Sequence, residues 1–246
     1  MAEIVNLDYD AKGADVALET ARSFAHDRPD QAAVLEANVL FKAGRHDEAI
    51  AVLAKEQQQR PNTLVLLRLA RLTYALDKPK DAESLLSTWL KGHDEDAAAR
   101  QELANMELAQ NDDDDALNNY LQVSQVAPND PIALNNLAWL YEKKGNPKAY
   151  DLAEQAYHLA PTPDRADTLG WILVKNGNAG AGLSYLQEAG AGAPQNMTIQ
   201  YHLAAALKAT GSTDKARAAL ERVMKTKAEF DGRADAQRLL DELQHG

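Results

Sequence analysis

Cysteine is absent from this sequence of 246 residues, which excludes disulfides, thiolate nucleophiles and metal sites built on Cys ligands. Long apolar runs are absent too, since none approaches the ~20 residues that a membrane-spanning helix needs. Aromatic residues make up only 6%, and the residues that favour strands form no alternating apolar runs. Because the apolar residues are mostly Ala and Leu, which favour helices, the composition predicts an all-α protein.

Positive charge is scarce: 26 Lys and Arg residues face 37 Asp and Glu residues, and the net charge is −11. Such a surface repels phosphate backbones and anionic lipids, so we expect no nucleic-acid partner and no direct membrane insertion by this segment. The opening sequence, MAEIVNLDYD, also lacks the apolar core of a signal peptide.

A periodic pattern runs through most of the chain. Leu followed by a small residue recurs every 32 to 34 residues, at Leu69-Ala70, Leu103-Ala104, Leu137-Ala138, Leu169-Gly170 and Leu203-Ala204. A turn residue stands seven positions after each small residue, at Asp77, Asn111, Gly145, Gly177 and Gly211. Another small residue follows four or five positions later, at Ala82, Ala116, Ala149, Gly182 and Ala216. An earlier copy fits Ala37, Gly44 and Ala49.

Proline follows the pattern at Pro61, Pro128, Pro161 and Pro194. Small residues allow the two helices of a unit to approach closely, a turn residue joins them, and Pro stops the second helix. This resembles the tetratricopeptide repeat (TPR), with Leu-Gly in helix A, Gly at the turn, Ala in helix B and Pro at the exit. The resemblance implies an all-α fold, a right-handed superhelical solenoid of TPR helix-turn-helix repeats with a C-terminal capping helix.

The period divides the chain into six units and two flanking segments. We predict TPR units at 30–62, 63–96, 97–130, 131–162, 163–196 and 197–230, followed by a capping helix at 231–246. Residues 1–29 are predicted to be a partial leading repeat, a lone helix B at 16–25 with Pro29 as its exit and helix A missing or weakly represented by residues 1–12. Because half a unit would expose an apolar face, we expect the chain to be cut from a longer array.

Repeats four to six carry sequence motifs that are more specific than the general repeat pattern, above all NNLAW at 135–139 and DTLGW at 167–171. Residues 130–245 resemble the C-terminal end of the large TPR lipoproteins encoded with PEP-CTERM/exosortase systems and linked to exopolysaccharide export. The resemblance implies a non-enzymatic scaffold or adaptor in the bacterial envelope, periplasmic or associated with the outer membrane. The alternative is a generic intracellular scaffold in the cytoplasm that binds an extended peptide or helix of a protein partner.

A ligand is expected in the concave groove, on the side of helix A that the 3.6-residue period turns to solvent. The predicted groove residues are Arg71, Tyr74, Gln101, Asn105, Asn135, Asn136, Trp139, Asp167, Trp171, Tyr201 and His202. Trp139 and Trp171 take equivalent places in adjacent repeats, close to a run of amide side chains. Aromatic and amide groups suit a peptide, or a glycan whose sugar faces stack on indole; alternatively, each Trp fills the seam between adjacent A helices.

Other functional signals are weak. A co-chaperone clamp for a carboxylate fits Asn105 and Asn136, but Gln101 and Ile132 replace its two Lys residues. The segment at 177–184 imitates a phosphate-binding loop but lacks its Lys, and the run at 112–115 fits a solvated helix start better than a calcium loop. No two His residues have the i,i+3 or i,i+4 spacing of metal ligands on one helix face. We therefore predict no catalytic residue, no metal and no cofactor.

Overall fold

The computed structural model describes residues 1–245, and over that range the protein contains fifteen helices and no strand. Contacts divide the chain into two compact units, Met1–Val126 (unit 1) and Ala127–Gly246 (unit 2). Within each unit, each helix packs on the next, and alternate helices also touch, as α3 does α5 in unit 1 and α11 does α13 in unit 2. This is the all-α repeat architecture that the sequence pattern predicts.

The helices of unit 1 are α1 (Ala2–Lys12), α2 (Ala14–Ser23), α3 (Pro29–Lys42), α4 (His46–Gln59), α5 (Thr63–Ala75), α6 (Pro79–Leu90), α7 (Ala97–Ala109) and α8 (Asp113–Val126). Those of unit 2 are α9 (Pro131–Lys143), α10 (Ala149–Leu159), α11 (Pro163–Lys175), α12 (Ala179–Gly192), α13 (Met197–Ala209), α14 (Thr213–Met224) and α15 (Arg233–His245). From α3 to α14, odd numbers are A helices and even numbers are B helices. Each of the six predicted TPR ranges holds one such pair, although α3 begins at Pro29.

The predicted turn residues adopt the left-handed conformation that closes the first helix of each pair. Among them, Gly177 has φ 84° and Gly211 has φ 82°, values that glycine reaches without steric cost. Asp77 and Asn111 take φ 59° and 64°, which short polar side chains tolerate better than other non-glycine residues. The predicted turn positions are therefore confirmed.

The leading segment differs from its prediction. Residues 2–12 form α1, which packs on α2 through a turn at Gly13 with φ 90°. Helix B is therefore not alone, and α1 lies within residues 1–12, where the alternative placed a weak helix A. Val5 is the buried residue of α1, whereas Ile4 and Leu7 are exposed, so the helix lacks the one-sided apolar pattern that reveals a core helix. Pro29 is not an exit either, because it occupies the first turn of α3.

The last helix covers the end of unit 2. On α15, Ala236, Leu240 and Leu243 are buried in one cluster with Tyr201 and Leu220 of α13 and α14. Apolar residues on one side of α15 thus close the apolar face of the last helix pair. No helix within residues 1–245 is long and apolar enough to cross a bilayer.

Candidate functional site

The predicted groove residues of unit 1 come together on α5 and α7. Arg71 of α5 donates hydrogen bonds from Nε and Nη2 to the two carboxylate oxygens of Glu102 on α7, at 2.8 and 2.6 Å. Beside this pair lies a cavity of about 210 Å³, the A-helix groove, whose lining residues are Arg71, Tyr74, Glu102, Asn105, Met106 and Ala109. Three of the eleven predicted residues, Arg71, Tyr74 and Asn105, thus line one cavity. A fourth, Gln101, is half-buried on α7.

The side chain of Asn105 is held in position by a residue of the neighbouring helix α8. The hydroxyl of Tyr120, on α8, donates to Oδ1 of Asn105 at 2.5 Å, and the Tyr120 side chain is fully buried. A buried partner lowers the conformational freedom of the amide, so less entropy is lost when a ligand binds it.

Arg68 adds positive charge next to the A-helix groove. Its Nε is buried and has no hydrogen-bond partner among the described residues. Burial, together with the neighbouring charge of Arg71, lowers the pKa of Arg68. Two neighbouring cations, Arg68 and Arg71, in a protein of net charge −11 favour the binding of a partner's carboxylate in this region.

Sequence reasoning missed the role of Glu102. Its exposed fraction is 8%, and it pairs with a residue 31 positions earlier. A lone acidic residue in an amphipathic helix predicts solvent exposure, and only the neighbouring helix supplies the cation that allows its burial.

In unit 2, the predicted residues of α9 remain partly open. Nδ2 of Asn135 lies 3.4 Å from Oδ1 of Asn136, while Oδ1 of Asn135 is buried without a hydrogen-bond partner in the part of the chain described. The Nζ atom of Lys143 lies 4.3 Å from the centre of the Trp139 ring, so one indole face is covered by a cation.

Four further predicted residues form the seam between α11 and α13 instead of an open surface. Nδ1 of His202 lies 2.9 and 3.0 Å from the carboxylate oxygens of Asp167. The Trp171 ring stacks on His202 with centroids 4.1 Å apart and packs 5.8 Å from Tyr201. The expectation of solvent exposure is therefore wrong for Asp167, Tyr201 and His202, which are all buried. Asp167 and Trp171, one turn apart on α11, face α13. The rings of Trp171, Tyr201 and His202 fill the space between these two helices.

Glu107 gives unit 1 a measurable dependence on pH. Burial raises the pKa of this half-buried carboxyl to about 7; hydrogen bonds from Asn119 oppose the rise, while Asp115 adds to it. Since the folded pKa exceeds the ordinary 4.5, its contribution to stability is greatest below pH 4.5 and is lost as the pH rises through 7.

We expect Glu107→Gln to raise the stability of unit 1 at pH 8 by about 1 kcal/mol, after discounting for solvent screening, and to change it little at pH 4. Thermal melts followed by circular dichroism at both pH values measure this difference. Glu19→Gln, an exposed carboxyl on α2, is the control and should shift neither melt. An equal effect of both substitutions at pH 8 would refute the role of Glu107.

Described residues contain no group of three or more His, Asp and Glu side chains arranged to hold a metal ion. The acidic run at 112–115 lies at the start of α8, which begins at Asp113, as the sequence predicts. There the carboxylates face the positive end of the helix dipole.

Comparison with known families decides what the repeats are. A family model described as "Tetratricopeptide repeat" matches residues 40–106 and 173–243, more than half of the chain. The chain belongs to the tetratricopeptide repeat family. Two related models match residues 104–145 and 3–62, the latter range including the leading pair α1 and α2. Repeats of this family stack into extended surfaces that serve as scaffolds for protein partners.

Solved structures show the same fold at low sequence identity. The structure of pilF from Pseudomonas aeruginosa superposes with a TM-score of 0.70 at 17% identity, covering 89% of this chain and 97% of that one. A tetratricopeptide repeat protein from Parabacteroides merdae gives 0.64 at 12% identity, covering 99% and 97%. The TPR protein YrrB, described as having an unusual peptide-binding site, gives 0.56 at 14% identity, covering 76% and 97%. No curated protein matches the chain.

Proposed function

We propose that this chain is a non-enzymatic scaffold that binds an extended segment of a protein partner in the A-helix groove of unit 1. The observation that carries the proposal is the cavity between α5 and α7, where Arg71, Tyr74 and Asn105 meet. Its other walls include Met106, so a partner side chain finds apolar contact beside hydrogen-bonding groups. This combination suits a peptide, which offers both apolar side chains and backbone amides.

The groups around the groove suggest what the segment contains. Two of the five N–H donors of Arg71 are used by Glu102, and the side chain is 54% exposed, so the remaining donors are accessible to a ligand. Arg68, whose charge acts on Arg71, adds a second cation beside these donors. The bound segment therefore carries an Asp, a Glu or a terminal carboxylate near an apolar side chain.

A protein segment is favoured over a glycan. Sugars stack on exposed indole faces, but one face of Trp171 is covered by His202 and one face of Trp139 by Lys143, which reduces the surface left for a sugar. The fold neighbour YrrB is described as a peptide-binding TPR protein, which agrees with this choice at the level of the fold.

For the cellular role, we propose an adaptor in envelope exopolysaccharide export or PEP-CTERM/exosortase-linked assembly, periplasmic or associated with the outer membrane. The proposal is supported by the sequence motifs NNLAW and DTLGW in repeats four and five, which carry the resemblance to that family. The alternative is a cytoplasmic scaffold for a soluble partner. Fractionation of cells that produce the tagged natural gene product separates the two: recovery with the envelope is expected, and recovery in the cytosol would favour the alternative.

Variants of the A-helix groove test the binding role. Partners are captured on the immobilised protein from envelope and cytosolic extracts, and synthetic segments of the captured protein are then titrated by calorimetry. Arg68→Glu and Tyr74→Ala should each weaken the binding about tenfold or more, because the first reverses the charge beside Arg71 and the second removes a lining side chain of the groove. Ser87→Ala, an exposed change outside the groove, should have no effect. Equal affinities for all variants, with unchanged melting curves, would place the partner elsewhere.

A further inference from the structure

A second, larger depression lies in unit 1 on the B helices. It measures about 670 Å³ and extends from Gln57 of α4, over Leu66 of α5, along α6 from Asp81 to Trp89 and on to Gly92 just after that helix. We call it the outer groove. α3 and α5 pack together, whereas α4 and α6 make no comparable contact within the described chain, which leaves this space open. At about 1.5 Å per residue the groove is ~16 Å long, the length of three helical turns.

The wall of the outer groove is apolar and held in place. Leu85 and Trp89 line it and pack on the core cluster that contains Leu66. Trp89 donates its indole N–H to Oδ2 of Asp96 at 2.8 Å and stacks on His93 with centroids 3.6 Å apart. Since the polar atom of the indole is already satisfied, the surface it offers to the groove is apolar and rigid.

Repeat packing alone does not create such a groove. The equivalent place in unit 2 lies 134 residues further along the chain, where Gln200, Ala219, Arg222 and Val223 replace Leu66, Leu85, Thr88 and Trp89. The cavity there measures about 90 Å³. The larger volume and the apolar wall of the outer groove therefore depend on the particular residues that line it and not on the repeat fold alone.

The ends of the outer groove carry negative charge. Asp81 is exposed at one end, and Asp94 and Glu95 are exposed just beyond the other. In the described structure none of these three carboxylates forms an ion pair, and residues 91–96 contain one Lys, Lys91, and one His, His93, but no Arg. A ligand with apolar groups in the middle and basic groups at both ends complements this pattern.

We propose that the outer groove is a second docking surface, which binds an amphipathic helix of a protein partner. Apolar side chains of that helix, three and four residues apart, cover Leu85 and Trp89. Lys or Arg residues near its ends meet Asp81 and the carboxylates of 94–95. The surface uses a different set of residues from the A-helix groove, so either site can exist without the other.

Two designed peptides test the proposal. The first is an acetylated, amidated helix of about four turns with a stripe of Leu in an Ala background and Lys at both ends; the second has Glu in place of Lys. Thr88→Arg introduces the residue that stands in the small equivalent cavity, at an exposed position of α6. Ser87→Arg is the matched control, because Ser87 is exposed on the same helix but does not line the groove.

In calorimetric titrations the Lys peptide should saturate the protein below about 1 mM. Thr88→Arg should weaken its binding about tenfold, and Ser87→Arg by less than about twofold. The Glu peptide should bind at least about tenfold more weakly than the Lys peptide. Unchanged melting curves of both variants show that the fold is intact.

Several results would overturn the proposal: no saturation, equal effects of the two arginine variants, or equal binding of the two peptides. Loss of Lys-peptide binding in Tyr74→Ala with an unchanged melting curve would also overturn it, because the peptide would then occupy the A-helix groove. Failure of the outer groove in these titrations leaves the capture experiment on the A-helix groove unaffected.

Discussion

Gly182→Ala is expected to lower the free energy of unfolding of unit 2 by about 3 kcal/mol. A Cβ atom at Gly182 of α12 would lie 2.6 Å from the carbonyl oxygen of Gly170 and 2.8 Å from Cγ2 of Val174, both on α11. A backbone oxygen cannot turn aside as a side chain does, so the two helices would have to separate. In an exposed helix the same substitution would stabilise by about 1 kcal/mol. The close packing of α11 and α12 therefore makes a substitution that normally stabilises a helix destabilising at this position.

The glycines of unit 2 supply a matched pair for this experiment. Gly180 lies on the same helix, but a Cβ there meets nothing within 4 Å, so Gly180→Ala should leave stability unchanged or raise it slightly. Gly170→Ala meets the Gly182 carbonyl at 2.9 Å and should be nearly as harmful as Gly182→Ala. Urea unfolding followed by circular dichroism measures all three, and equal midpoints for Gly182→Ala and Gly180→Ala would refute the close approach.

Trp171→Ala is expected to cost unit 2 about 3 kcal/mol of unfolding free energy. Its ring stacks on His202 and packs on the cluster that contains Tyr201 and Ala204, so its removal leaves a void between α11 and α13. The buried pair of Asp167 and His202 would then lose its apolar cover. The same urea titration provides the measurement.

Trp139→Ala is the comparison variant, because Trp139 takes the equivalent place in the adjacent repeat. The Trp139 ring contacts the Lys143 ammonium group, an interaction worth about 0.5–1 kcal/mol at such a site, so a smaller loss of unfolding free energy is expected. Two equally mild variants would show that Trp171 is not a seam residue and would return it to the candidate ligand surface. The repeat pattern alone treats the two tryptophans as equivalent, and the structure distinguishes them by their neighbours.

Much of the fold follows from the sequence because the signals of a repeat are local. The turn at Gly177 needs a left-handed residue, and Asp77 meets the same need in its own repeat. The 3.6-residue period shows which side of each helix is buried, and the small residues mark where helices A and B touch. The leading pair escapes this reasoning because α1 buries little more than Val5 and shows no apolar stripe.

The candidate site was predicted less completely, because its contacts join residues about one repeat apart. Arg71 and Tyr74 were expected in the groove and line it, but Glu102, the partner of Arg71, was not foreseen. His202 was expected to face a ligand and instead pairs with Asp167, 35 residues earlier. Which side chains meet across two helices depends on rotamers and on the spacing of the helices, which the period of one helix does not contain.

The sequence by itself therefore determined the class of fold, the register of the repeats and their turn residues, because each depends on backbone conformation and periodicity within about 34 residues. Tertiary structure alone decided which aromatic rings fill seams, which charges pair, and that the B helices of unit 1 leave a groove beside Trp89. Those features arise from side-chain packing between successive repeats, where a single change in size or charge closes a cavity or satisfies a buried group.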